Sequence, residues 1–153
     1  MTHGPPYANL DRTTDGSLVG CPHLLRALMR SRPLLHCFGH IHESHGGQRI
    51  AWPPQKTIDE LASNGVTIKE FKKTWADEIS DDGIRRVGYD QAEALQKGYI
   101  ELDVGKGTRR HVRRGLETLL INAAVMDVEY KPVNPVWLIH LDLPKTEGSN
   151  GRS

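Results

Sequence analysis

The chain has 153 residues, 20 Lys and Arg against 19 Asp and Glu, and a formal net charge of +1, so no whole-molecule field gathers nucleic acid or anionic membrane. At 17.1 kDa it has the size of one domain, and no stretch approaches the roughly 18 apolar residues of a membrane span. No signal-like start is visible, and the two cysteines, Cys21 and Cys37, read as buried free thiols suited to a reducing compartment, so a soluble cytoplasmic protein is expected.

Thr2-His3-Gly4-Pro5-Pro6 opens the chain, and Asn9 to Gly20, rich in Asp, Thr, Ser and Gly, reads as a loop. Pro22 then suits the first turn of a helix reaching Arg30, with Leu24, Leu25 and Leu28 on one stripe. Ser31-Arg32-Pro33 ends it, and Leu34 to Phe38 reads as a short buried strand. That strand delivers His40 and His42 at its carboxyl end, where open α/β sheets bind ligands.

In extended backbone, residues two apart share a face about 7 Å apart, a spacing that suits two adjacent ions better than one. Gly39 is the expected left-handed residue of the bend. The bland reading is a surface loop, because eight histidines in 153 residues make one His-x-His pair unremarkable. His36 is assigned to packing or a hydrogen bond, and Glu43 and His45 to solvated loop.

Gln48 to Trp52 reads as a strand. Thr57 with Glu60 and Thr67 with Glu70 match the capping box and predict two helices, the second striped by Ile68, Phe71, Trp75 and Ile79. This stripe reads as core, with a lid or a partner face as the alternative. A short helix from Tyr89 to Lys97 ends at Gly98, and strands follow over Tyr99–Val104, Leu116–Ala123 and Val136–Leu143. Lys106 to Arg114 is the one dense basic run and reads as a solvated hairpin tip. With no aromatic residue interleaved, RNA binding there is the weaker alternative.

Together with Thr2-His3-Gly4-Pro5-Pro6, four further words occur in order: Gly39-His40-Ile41-His42-Glu43, Ile121-Asn122-Ala123, Pro132-Val133-Asn134-Pro135 and Leu141-Asp142-Leu143-Pro144. The set resembles the calcineurin-like metallophosphoesterases, in particular the branch of metallophosphoesterase-domain-containing proteins. The resemblance covers about 1–48 and 115–145. It implies an α/β fold, the carboxyl-terminal part of a sandwich with a mixed sheet and flanking helices. Residues 1–144 form this partial domain, with about 53–114 a helical insertion and basic hairpin, and 145–153 a disordered tail.

By resemblance, His3 and His40 look like ligands of the second metal and His42 like a ligand of the first, while Asn122 is assigned to substrate contact. The implied cofactors are divalent ions (Mn, Fe or Zn), two in the complete site. The implied substrate is a phosphomonoester or phosphodiester. The family's Asp-x-His, Gly-Asp-x-x-Asp and Gly-Asn-His motifs do not occur here, so the bridging carboxylate and the general acid are missing. The chain alone is therefore expected to be inactive, completed by an amino-terminal half or a protein partner. The competing reading is a non-catalytic remnant serving as a binding or scaffold module; no membrane or nucleic-acid partner is expected.

Overall fold

A computed structural model describes residues 1–65 and 84–143. Helix α1 (Pro22–Ser31) begins with its proline in the first turn, where the missing N–H costs nothing, and ends at Arg32, whose left-handed φ of 43° turns its N–H back onto the Leu28 carbonyl. Strands β1 (Leu35–Phe38), β2 (Gly46–Ala51), β3 (Ile84–Arg86) and β5 (Glu117–Asn122) form one sheet in the order β1-β5-β2-β3. β1 runs parallel to β5, while β2 is antiparallel to both β5 and β3, so the sheet is mixed. A second sheet consists of β4 (Tyr99–Asp103) and β6 (Val136–His140), paired in parallel.

β5 occupies the centre, and all six of its residues are buried. Its side chains alternate between two cores. Leu120, with Phe38 and Ile50, packs under Leu25, Leu28 and Met29 of α1. Leu119 and Ile121 face the other way, onto Leu102, Val104 and Val112, with Trp137 and Ile139 of β6 closing this second layer. Gly47 permits the close approach of the two sheets: a Cβ there would stand 3.1 Å from both the Trp137 ring and Val87. The architecture is thus a mixed α/β arrangement of two sheets with α1 on one outer face, which fits the expected class.

Several expectations need correction. The basic run does not tip a hairpin, because β4 and β5 lie in different sheets and the loop between them crosses over. Val112 pins that loop into the second core at 4% exposure. Thr57 is no N-cap: helix α2 (Gln55–Ser63) has already begun, and the Thr57 N–H donates to the Pro54 carbonyl. Cys21 is exposed and Cys37 half-buried, both as free thiols. Burial pushes the Cys37 thiol up from its ordinary value. Helix α3 (Gln91–Lys97) ends at Gly98 as expected, with Asp90 capping the Glu93 N–H. The stripe from Ile68 to Ile79 and the tail from Lys145 lie outside the described residues.

Candidate metal centre

The amino-terminal arm lies along the free edge of β1. The Thr2 N–H donates to the Cys37 carbonyl at 3.1 Å, and the Gly39 N–H donates to the His3 carbonyl at 2.9 Å. Pro5 and Pro6 carry no N–H, so this stretch is held through the Pro5 carbonyl, which accepts from the Cys21 N–H at 3.0 Å. The loop behind the arm closes on Asp11, whose buried carboxylate accepts from the Ala8 and Gly20 N–H groups at 2.8 Å each. These contacts set His3 next to the segment that follows β1.

There His3 Nε2 lies 3.0 Å from His40 Nδ1, with the rings 4.6 Å apart between centroids. Two imidazole nitrogens bound at roughly 2.0–2.1 Å to one tetrahedral ion stand about 3.3 Å apart, so the pair is spaced almost as one ion would require. Without an ion the two nitrogens face each other at hydrogen-bond distance, one ring donating to the other. The left-handed residue of the bend is His40 itself, at φ 75°, and not Gly39. A non-glycine residue held there stores about 1–3 kcal/mol of strain, and such strain concentrates at working sites.

His42 opens a single 3-10 turn, His42–Ser44. Its Nδ1 donates to the Asp127 carbonyl at 2.8 Å, which fixes the tautomer and leaves Nε2 as a bare lone pair, the usual posture of a ligating histidine. Tyr130 packs edge-on against the ring at a centroid distance of 5.4 Å. Tyr130 also has a left-handed φ, 62°, and is 75% exposed. Asp127 holds this loop in shape, its Oδ1 accepting from the Glu129 and Lys131 N–H groups at 2.9 Å each.

Asn122 is 0% exposed. Its amide donates to the Ile41 carbonyl at 2.7 Å and the Leu10 carbonyl at 3.3 Å, and its oxygen accepts from the Ala124 N–H at 3.1 Å. The assignment to substrate contact is thereby corrected: Asn122 has no surface to offer, and it instead ties the His40–His42 segment to the end of β5. His36 is buried and bonds Thr2 Oγ1 at 3.1 Å, as expected of a packing histidine, and burial lowers its pKa below the ordinary value. His45 departs from the solvated-loop reading. It is half-buried with its ring against Trp137, its Nε2 donates to the Pro135 carbonyl at 3.1 Å, and burial lowers its pKa, partly offset by that hydrogen bond. Glu43 is exposed and accepts from the Thr14 N–H.

The donors do not add up to the family's two-ion centre. Among the described residues, no three His, Cys, Asp or Glu side chains group so as to hold one ion, and His42 joins no such cluster with the His3–His40 pair. A dinuclear site also needs an anion between its dications, and among the described residues no carboxylate stands at the pair. The residues present fit a fraction of a metal site.

No family model matches the chain, and no solved structure does. Metallophosphoesterase domain-containing protein 1 of Homo sapiens is 48% identical over 48 residues, 30% of this chain and 15% of that protein. A UPF0046 protein of Caenorhabditis elegans is 45% identical over 47 residues, 30% of this chain and 12% of its own length. A protein named probable rhamnogalacturonate lyase C, from Emericella nidulans, is 54% identical over 54 residues, 34% of this chain and 5% of that protein. The similarity is local. This chain spans a small part of each of these relatives, and at family level the likeness is to metallophosphoesterase-domain proteins. No helix among the described residues is long and apolar enough to cross a membrane.

Proposed function

We propose that the chain carries the carboxyl-terminal histidine portion of a calcineurin-like metallophosphoesterase site, in which His3, His40 and His42 serve as metal ligands and the remaining donors come from outside these 153 residues. The observation that carries the reading is the His3–His40 contact at 3.0 Å, formed by two motifs 37 positions apart whose words resemble the family's in order. The local likeness to metallophosphoesterase domain-containing protein 1 supports it. In a completed site, divalent Mn, Fe or Zn would supply a water-derived nucleophile and neutralise charge on a phosphomonoester or phosphodiester. This chain's own contribution is positional: the arm along β1 brings His3 to His40, Asn122 fixes the segment between His40 and His42, and the Asp127 carbonyl orients His42.

The reading is tested with the polypeptide purified from its own source and assayed with Mn²⁺ against p-nitrophenyl phosphate and bis(p-nitrophenyl) phosphate. Metal-dependent turnover lost on His40→Ala is expected. The 153-residue chain alone is expected to give negligible turnover. Absence of metal-dependent hydrolysis in the native polypeptide overturns the proposal.

A further inference from the structure

A second site lies between the two sheets, built without any of the histidines above. A cleft of about 180 Å³ is floored by Leu102, Val112 and Leu119 and bordered by Arg49 of β2 with Arg109 and Arg110 of the crossover loop. Among the described residues no carboxylate lines it. Arg86 borders the cleft as well, but its Nη1 stands near Gly46, 3.5 Å from where a Cβ on that glycine would lie.

The three guanidinium groups have few partners. Arg110 Nη2 donates to the Gly88 carbonyl at 3.0 Å, which holds it in place without neutralising it. Arg49 Nε lies 4.0 Å from Glu117, the limit of an ion pair, and that carboxylate is already taken by the Arg113 side chain at 3.1 Å and the Arg113 N–H at 2.9 Å. Arg109 has no hydrogen-bond or ionic partner among the described residues. Three like charges border an apolar floor, Arg109 and Arg110 exposed and Arg49 half-buried, and together they favour an anion that enters. Guanidinium forks match tetrahedral oxyanions, which they bind through paired N–H donors.

We infer that this cleft binds a phosphate group, using Arg49, Arg109 and Arg110. Its size suits a single phosphate or diphosphate head. Among the described residues no aromatic side chain lines it, unlike sites that stack bases. The inference stands independently of the metal-site reading, since it uses none of that site's residues. The phosphate could belong to a small molecule or to a polynucleotide backbone, and the two are separable by experiment.

Inorganic pyrophosphate is titrated calorimetrically into the purified chain, and a fluorescein-labelled single-stranded RNA is titrated by anisotropy at two salt concentrations. Saturable pyrophosphate binding is expected, weakened at least tenfold by Arg49→Gln/Arg109→Gln. It should be unchanged by Arg26→Gln/Arg30→Gln on the exposed face of α1. RNA binding no tighter than pyrophosphate assigns a small-molecule site; RNA binding far tighter, lost with salt and with the same cleft variant, assigns a backbone phosphate. Arg109→Gln alone, at a side chain with no hydrogen-bond or ionic partner among the described residues, guards against misfolding and should still weaken binding several-fold. No binding of either probe, or equal binding by the cleft and α1 variants, overturns the inference.

Discussion

His3 Nε2 and His40 Nδ1 stand at hydrogen-bond distance, 3.0 Å, although 37 residues separate them in the chain. Neither side chain creates this contact alone. It is the product of the arm pairing with the end of β1, the left-handed turn at His40, and a buried scaffold of Asp11, Gly20 and Asn122 behind both. The consequences of disturbing that scaffold follow from its geometry.

Gly20 is the tightest point of the arm. A Cβ at this position would stand 2.5 Å from the Pro6 carbonyl oxygen and 2.7 Å from Asp11 Oδ2, the first held by the Pro6–Cys21 bridge and the second by the Ala8 and Gly20 N–H groups. Gly20→Ala is expected to destabilise the fold by at least about 2 kcal/mol, since overpacking against backbone leaves nothing flexible to yield. Gly88→Ala, with nothing within 4 Å, is the control expected to stay near wild type. Urea midpoints compare the two.

Asn122→Ala removes a buried amide and strands the Leu10 and Ile41 carbonyls and the Ala124 N–H. A loss of about 2–4 kcal/mol is expected from these unpaired groups. Asn122→Asp should be worse, because a carboxylate would face two carbonyl oxygens where the amide donated. Denaturation curves that ranked Asp above Ala in stability would contradict this account of the residue.

The sequence showed the parts whose signals are local. Pro22 and the leucine stripe marked α1, the apolar run marked β5, and Gly98 marked the end of α3. What it hid depends on long-range pairing. The Lys106–Arg114 run looks like a hairpin because strands flank it, yet each strand found its partner elsewhere, β4 with β6 and β5 with β1 and β2. β2 began two residues earlier than its apolar pattern suggests, because Gly46 and Gly47 carry no hydrophobic signal while their backbone pairs with Asn122 and Ile121. At the site, His3, His40 and His42 were visible as words, whereas the Asp127 carbonyl that orients His42 lies 85 residues away and as a backbone group has no signature. Asn122 was found as a residue and misread in role, since an amide at a strand end looks the same whether it meets a ligand or a carbonyl.

Acid should weaken the fold through Glu117 and His45. Glu117 is almost fully buried, which raises its pKa, but the hydrogen bonds from Arg113 and the nearby Arg49 outweigh burial and the net shift is downward. A lowered folded value means that its stabilisation is complete above the ordinary carboxylate pKa of about 4.3 and is lost as pH falls through the folded value. Glu117→Gln should therefore be less stable than wild type at pH 7, with the gap closing in acid.

His45 acts at milder pH. Its folded pKa lies below the ordinary value of about 6.5, so the unfolded chain binds the proton first and stability declines as pH drops through that window. His45→Phe, which keeps a ring against Trp137, should flatten the stability difference between pH 7.5 and pH 5. His36 shifts the same way and sets the remaining slope. Urea midpoints at the two pH values measure both effects.

The central claim is that His3 and His40 form one metal-binding locus, and titration of Zn²⁺ into the 153-residue chain tests it most directly. The account predicts a single modest site, weakened at least tenfold by His3→Ala and by His40→Ala, with the double variant no worse than either single, while His23→Ala at an exposed position on α1 leaves it unchanged. Zn²⁺ binding that ignored both His3 and His40, or no binding at all, would contradict it.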